Sequence, residues 1–334
     1  MNRLRRLFIV ALIAVFNVAV FSPGAVQAQK AQKLVMGYPT PGAGITVEVM
    51  RRAGFFKKYS HDVDLVLLSG SSLLTTAMIS GNVPVSMVGA APMVVAAVAG
   101  ADTVLLACAT TYAYGRLFAS AKIASIAGLK GKRVGLTRLG TIDDGILRYV
   151  FRERGLNPER DVTFIAAGSG AERLVSLSNG AIDAAIFRAP HDGFAEKAGF
   201  SEILDINKAG LYNPASCIGT TKSYARNHRD SALRLVKGFV EGLKFFKENR
   251  EFAFKVAAEF TRTNDPEAIS AVLDSPARLQ EKIPYVPLKG IDFLLKVEAL
   301  RNPRAAGFDP TSVIDSSFLQ ELEKGGFIEA LWKK

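Results

Sequence analysis

The chain has few of the side chains that build metal sites and covalent active sites. Its 334 residues include two cysteines and three histidines, and His61, His191 and His228 lie far apart. They do not have the spacing of a metal-ligand motif, and the sequence contains no Cys/His cluster. It also lacks a Gly-x-Ser-x-Gly elbow, and GSGAER at 168–173 lacks the lysine of a phosphate-binding loop. We therefore predict no metal, no cofactor and no enzymatic activity.

Long runs of repeats, prolines or like charges are also absent. Hydrophobic residues make up 49% of the chain and charged residues 22%, which excludes a disordered chain and leaves enough apolar surface for two packed lobes. Lysine and arginine are spread along the sequence, and the densest piece, LKGKR at 129–133, is typical of a solvated turn. This distribution does not predict a nucleic-acid partner.

The N-terminus carries the apolar run that the rest of the chain lacks. Three arginines within the first six residues precede a run from Phe8 to Phe21, and small residues stand at 26 and 28. At about 14 residues the run is shorter than the ~20 that a membrane span needs. The pattern predicts a signal peptide over 1–28, cleavage after Ala28 and a periplasmic protein.

Export changes how the charge and the cysteines are interpreted. Loss of three arginines and no acid lowers the formal net charge from +11 to +8, so an anionic partner remains favoured. Cys108 and Cys217 both lie in apolar stretches, LLACATT and ASCIGTT, which favour two buried thiols. A disulfide stays open, because sequence does not fix the distance between them.

One stretch of the chain occurs twice. SGSSLLTTAMISGNVPVSMVGAAP from Ser69 and AGSGAERLVSLSNGAIDAAIFRAP from Ala167 align without a gap. Each copy predicts a Gly/Ser turn after a strand, a helix that ends at Gly81-Asn82 or Asn179-Gly180, and a second, parallel strand. A further strand and helix precede each copy. The sequence thus predicts two similar α/β lobes, with a ligand cleft where their helix N-termini face each other.

Several segments, in this order, resemble a known family: MRRAGFFKKYSHDVDLVLL, ISGNVPVSMVGAAP, IAGLKGKRVGLTRLGTIDDGILR, GLNPERDVTFIAAGSGAERLVSLSNGAIDAAI and TTKSYARNHRDSALRLVKGFVEGLKFF. They resemble the periplasmic substrate-binding proteins of the nitrate/sulfonate/taurine class of ABC importers. The resemblance runs from Lys33 to about Phe260.

The resemblance implies a two-lobed type II periplasmic-binding-protein fold of class α/β. Each lobe would be a mainly parallel sheet flanked by helices. One lobe would comprise 33–115 plus 218–334, the other 116–217. The chain would then cross between the lobes near the two cysteines.

Loops that enter helices at the cleft are the candidate binding residues, because helix N-termini present unpaired N–H groups. The predicted ligand contacts are Tyr38, Thr40, Gly70, Ser71, Ala90, Tyr112, Arg138, Thr141, Ser169 and Arg188.

Arg138 and Arg188 indicate the charge of the ligand. Arg188 interrupts an apolar strand end at the position where the first copy has Ala90. A guanidinium there fits a carboxylate, sulfonate or phosphate of the ligand. The alternatives are a salt bridge to a nearby acid such as Asp183 or Asp192, or simple solvent exposure. The acids Asp143, Asp144 and Glu172 are interpreted as caps of helix starts.

The family resemblance implies a function of reversible capture. A small anionic solute would bind between the lobes, hinge rotation would close the cleft, and the closed monomer would dock on an ABC permease in the inner membrane. Two alternatives stay open: a solute sensor for a signalling receptor and an enzyme similar to thiamine-pyrimidine synthases. The sequence does not choose between sulfonate, taurine, nitrate and carboxylate ligands.

Overall fold

The structure, a computed structural model, describes residues 31–278 and 282–333. The predicted signal peptide over 1–28 and its cleavage site lie outside these residues. Within the described ranges, none of the helices combines the length and the apolar character that a membrane crossing requires.

Ten strands are present in the described part of the chain: β1 Gln32–Tyr38, β2 His61–Leu67, β3 Val85–Val88, β4 Thr103–Tyr112, β5 Arg116–Ala119, β6 Lys132–Leu136, β7 Val162–Ala166, β8 Ala184–Phe187, β9 Ser201–Asp205 and β10 Tyr212–Thr221. They form two five-stranded sheets, ordered β2-β1-β3-β10-β4 and β7-β6-β8-β5-β9. In each sheet the fourth strand, β10 or β5, runs antiparallel to its neighbours. We call the first sheet and its helices the first lobe, and the second sheet and its helices the second lobe.

Helices connect and cover the strands: α1 Pro41–Arg52, α2 Phe55–Lys58, α3 Ser71–Ile79, α4 Ala90–Val98, α5 Ile142–Glu153, α6 Gly170–Ser178, α7 His191–Lys197, α8 Lys222–Asn227, α9 Arg229–Glu248, α10 Arg250–Thr261, α11 Pro266–Arg278, α12 Leu288–Ala299, α13 Ser317–Lys324 and α14 Phe327–Trp332. Short 3-10 helices cover Ile126–Leu129, Ile206–Lys208, Pro303–Gly307 and Pro310–Val313. The two α/β lobes confirm the predicted fold class. The lobe ranges stay a prediction, although β10 in the first sheet already begins at Tyr212.

The two copies of the repeat have the same topology. The strands of each copy run parallel, as predicted, but each pairs with a strand that lies between them. That strand is β1 in the first copy and β6 in the second. In the first copy Gly37 pairs with Val66 and Ser86. In the second copy Gly135 takes the same place in the order, so the backbone arrangement is conserved between the lobes.

The ungapped alignment of the copies is wrong beyond the first turn. Gly70 and Gly168, both with positive φ, are 98 positions apart, but the helix-ending Gly81 and Gly180 are 99 apart. The second copy therefore has one extra residue between its turn and its helix. It follows that Arg188 corresponds to Gly89, and not to the predicted Ala90.

Helix α12 joins the two lobes. Its residue Phe293 packs edge to face on Tyr149 of α5, with ring centroids 5.0 Å apart. A Cβ atom at Gly145 of α5 would lie 2.5 Å from Val297 of α12, so only glycine permits this approach. One apolar core thereby continues from the first sheet through α12 to the second.

The prediction of two free thiols is wrong. Cys108 on β4 and Cys217 on β10 lie directly opposite each other, form a disulfide and are fully buried. The physical reason is the path of β10, which returns to the first sheet and inserts between β3 and β4. This insertion brings together two cysteines that are 109 positions apart in the sequence.

Candidate functional site

The loops that leave β1, β2 and β3 meet at one edge of the first lobe. The N–H of Gly70 donates to the carbonyl of Pro39 at 3.1 Å, and the N–H of Gly89 donates to Ser71 Oγ, also at 3.1 Å. These two bonds place the starts of α1, α3 and α4 side by side. The hydroxyl hydrogen of Ser71 remains available to a ligand, because Ser71 Oγ acts as the acceptor in its bond with Gly89.

Tyr38, Thr40 and Ala90 belong to this same edge. The Tyr38 ring lies 5.7 Å from that of Phe260, and burial together with the Glu48 charge raises the pKa of Tyr38, so its hydroxyl stays protonated at neutral pH. Thr40 caps α1 by accepting from the N–H of Ala43 at 3.3 Å. Ala90 has no exposed surface. A ligand contact at each of the three stays a prediction.

The matching edge of the second lobe holds a group of charges that we call the polar cluster: the buried Asp143 and Arg173 and the half-buried Arg188. Asp143, the second residue of α5, is 3% exposed. The Arg188 guanidinium donates to both of its carboxylate oxygens, with an Nη1–Oδ2 distance of 3.0 Å. Arg188 also lies 4.9 Å from the centre of the Tyr114 ring.

Arg173 ties together the loops after β6 and β7 and the end of β8. It is 5% exposed and donates to Thr137 Oγ1 at 2.7 Å, to the Gly168 carbonyl at 2.6 Å and to the Ile186 carbonyl at 3.2 Å. Thr137 follows β6, Gly168 follows β7, and Ile186 lies in β8. The side chain of Arg173 thus holds the edge of the second lobe together. In the first lobe the backbone bond from Gly70 to Pro39 and the bond from Gly89 to Ser71 have this role.

The polar cluster carries a net positive charge. Burial by itself would raise the pKa of Asp143, but the attraction of Arg188 outweighs it and holds the pKa of this carboxyl below its usual value. Burial lowers the pKa of Arg173, yet a guanidinium remains protonated at neutral pH. Two cations therefore face one anion beside the N-termini of α5 and α6, an arrangement that attracts a further anion.

Arg188 does form a salt bridge to a nearby acid, but neither of the two acids named as examples is its partner. Asp183 instead accepts from Arg133 at 2.9 Å, and Asp192 accepts from Arg116 at 3.3 Å. The partner of Arg188 is Asp143, which the sequence indicated only as a helix cap. Whether Arg188, 26% exposed, also contacts a ligand stays a prediction.

Sequence reasoning missed Arg173 altogether. The repeat could have revealed it. When the helices of the two copies are aligned with an offset of 99 residues, Arg173 corresponds to the buried Leu74. An arginine at a core position of an amphipathic helix needs buried acceptors, and the loop ends supply them.

The remaining predicted residues of the second lobe form local bonds. Thr141 donates its hydroxyl to the carbonyl of the exposed Arg138 at 2.8 Å. Ser169 and Glu172 form a capping box at the start of α6, which confirms the cap role of Glu172. Asp144 accepts from the N–H of Gly140 at 2.7 Å, also at a helix start.

The chain passes between the lobes in two adjacent segments, 113–115 and 206–211. The N–H of Ala113 donates to Leu211 at 2.7 Å, and the N–H of Ile206 donates to Gly115 at 3.0 Å. Tyr112, predicted to contact ligand, stacks on Tyr212 just before this crossing, with ring centroids 4.8 Å apart. The described residues contain no group of His, Cys, Asp or Glu suited to a metal ion.

Two lobes of the same topology, joined by a paired crossing, define the class of periplasmic-binding-protein folds. Residues 27–260 match the model of the NMT1-like family, and the chain belongs to this family. This membership confirms the resemblance stated from the sequence. A search of curated proteins produced no match.

Solved structures agree on the fold. A protein from Bordetella bronchiseptica RB50 is 22% identical, with a TM-score of 0.75, and the match covers 89% of this chain and 98% of that one. The alkanesulfonate-binding protein SsuA from Xanthomonas axonopodis pv. citri, bound to MOPS, is 16% identical, with a TM-score of 0.68 and coverages of 86% and 99%. The periplasmic nitrate-binding protein NrtA from Synechocystis PCC 6803 is 13% identical, with a TM-score of 0.72 and coverages of 89% and 90%. Identities this low show the fold alone.

Proposed function

We propose that the protein is the periplasmic solute-binding component of an ABC importer and captures a small anionic solute between its lobes. The observation that carries this proposal is the polar cluster, whose net positive charge stands at the cleft edge of the second lobe beside two helix N-termini. Similar folds that bind MOPS, which carries a sulfonate group, and nitrate support it. The chain binds without turnover and acts as a monomer that docks on its permease.

In the proposed mechanism Arg188 makes the main contact with the anion. Asp143 occupies one side of its guanidinium, which leaves the other N–H groups to donate to an anionic oxygen. The pairing with Asp143 fixes the guanidinium before the solute arrives, so less side-chain entropy is lost on binding. Ser71 and Thr40 of the first lobe supply neutral polar groups when the cleft closes.

Closure rotates the lobes about the crossing segments 113–115 and 206–211. The disulfide between β4 and β10 holds the strands from which both segments emerge, so the base of the hinge stays rigid. A buried disulfide also fits an oxidising compartment and supports export to the periplasm.

The test is a thermal-shift and calorimetric screen of the chain from Gln29 to Lys334 against alkanesulfonates, taurine, nitrate, carboxylates and neutral pyrimidines. A solute at 100 times its Kd adds about 2.7 kcal/mol of stability. For the anion that binds, Arg188→Met should weaken affinity about tenfold or more, the loss expected for a charge-assisted contact.

Arg133→Met is the matched control, because Arg133 forms its ion pair with Asp183 on the exposed surface. It should leave affinity unchanged. Binding of neutral compounds alone, or equal anion affinity in the Arg188 variant, would contradict the proposal.

A further inference from the structure

We propose that the protein has a second binding site, a cavity at the junction of the two lobes that takes a neutral, mainly apolar molecule with one hydrogen-bond acceptor. We call it the seam cavity. It has a volume of about 370 Å³ and is walled by α4 and α12 on one side and by α5 and the loop 139–142 on the other. This volume lies within the range of about 300–1,000 Å³ typical of small-molecule sites.

The seam cavity and the polar cluster lie on different faces of α5. Asp143 turns its carboxylate to Arg188, whereas Asp144 lines the cavity. Successive residues of a helix point about 100° apart, so one helix serves both sites without sharing a side chain. The cavity therefore shares no side chain with the polar cluster, although Thr141, a predicted contact of the cleft ligand, also lines it.

Every charged side chain that lines the seam cavity is already paired. Asp144 and Arg148 pair with each other at 2.5 Å, and Glu159 lies 2.6 Å from Arg152. The buried carboxylate of Glu298 accepts from Arg301 Nε at 2.7 Å and from Asn302 at 3.3 Å. The three acids and three arginines of these pairs balance, so a charged ligand would lose its hydration here without gaining a net counter-charge. The cavity therefore selects a neutral molecule.

The rest of the cavity lining is mainly apolar, and two exposed leucines lie at its rim. Leu139 and Leu300 are 56% and 49% exposed and flank the opening. Ala91 and Leu294 line the interior. Large exposed leucines on both sides of a cavity are typical of a ligand-binding mouth.

Arg301 supplies the single polar contact. Its Nε is bonded to Glu298, but the described residues offer no acceptor to its terminal nitrogens. One of these nitrogens lies 3.2 Å from the point where a Cβ of Gly140 would stand, which places the guanidinium over the loop at the cavity edge. A carbonyl or ether oxygen of the ligand can accept from it.

The two lobes provide opposite walls of the cavity. A bound molecule therefore stabilises the arrangement of the lobes in which both walls contact it. Binding in the seam cavity is then coupled to closure of the cleft, and the coupling acts equally in both directions. The site would let a neutral apolar compound tune the capture of the solute.

The probe for the test is 6-propionyl-2-(dimethylamino)naphthalene, a neutral aromatic ketone whose emission shifts to the blue in apolar surroundings. Titrated into the chain from Gln29 to Lys334, it should give saturable, blue-shifted emission at one site per chain. Ala91→Trp fills the cavity and should reduce affinity at least about tenfold, while Arg301→Met should reduce it about fivefold through loss of the donor.

Ala96→Trp is the matched control, because Ala96 is a half-buried alanine of α4 that does not line the cavity. It should bind the probe like the unchanged chain. Leu139→Ser, at an exposed rim position, gives a second test should Ala91→Trp fail to fold, and it should weaken binding severalfold.

Arg188→Met separates this proposal from the proposed function. The variant should bind the probe normally even if it loses the anion. Equal probe affinity in Ala91→Trp and Ala96→Trp, absence of saturable binding, or loss of the probe in Arg188→Met would each overturn the seam cavity as a site.

Discussion

The two lobes share a backbone plan and differ in how their cleft edges are built. The positions of the polar cluster, Asp143, Arg173 and Arg188, correspond in the first lobe to residues without charge: Gly42, Leu74 and Gly89. The first edge is held by bonds such as the one from Gly89 to Ser71, the second by the side chain of Arg173. A duplicated fold can thus keep its topology while one copy acquires a buried charge for binding.

The largest effect is expected from the disulfide, which the first lobe has and the second lacks. The double variant Cys108→Ala, Cys217→Ala frees a loop closed over a sequence separation of 109. The unfolding free energy should fall by about 4 to 5 kcal/mol, the chain-entropy value for a loop near 100 residues, as measured by urea denaturation.

The same denaturation with the unchanged chain fully reduced provides the control. It should reproduce the loss seen in the double variant. Equal stability of the oxidised, reduced and substituted chains would show that β10 is fixed by packing alone, as β5 is in the second sheet.

The second largest effect is expected when Arg173 of the second lobe is replaced by leucine, the residue at the corresponding position 74 of the first lobe. Arg173→Leu removes the shared donor to three acceptors, the Thr137 hydroxyl and the Gly168 and Ile186 carbonyls, of which the last bond is buried. We expect a loss of about 3 kcal/mol in the unfolding free energy and weaker solute binding. Arg133→Leu, on the exposed surface, is the control and should change stability little. Equal stability of the two variants would contradict the role of Arg173 in holding the edge of the second lobe.

The smallest effect is expected on the first edge. Ser71→Ala deprives the Gly89 N–H of its acceptor and should cost about 1 kcal/mol, with solute affinity reduced severalfold. Its neighbour Ser72 is exposed and makes no such contact, so Ser72→Ala should match the unchanged chain. Denaturation and calorimetry of the two variants side by side measure the difference. If Ser71→Ala lowered the unfolding free energy as much as Arg173→Leu, the Ser71 hydroxyl and the Arg173 guanidinium would contribute equally to their edges.

Much of the fold followed from local patterns. The turns at Gly70 and Gly168 and the helix ends at Gly81 and Gly180 require positive φ, which glycine adopts without strain, so their positions could be read from the sequence. The pairing of Arg188 could not be predicted, because Asp143, 45 positions away, looked like an ordinary acid at a helix start. The one-residue offset between the copies could not be predicted either, because both copies end in Ala-Pro at positions that fit an alignment without a gap.

The sequence by itself determined the strands, the helices, the duplication and the family, because hydrophobic periodicity, glycine turns and segment order are local properties of the chain. Only the tertiary structure decided that Cys108 meets Cys217, that Arg188 pairs with Asp143 and that Arg173 ties two loops to the end of β8. Each of these depends on which strands become neighbours. The chain runs through the whole second sheet before β10 returns to lie between β3 and β4. Contacts between distant positions are set by the packing of whole elements, and no local pattern records them.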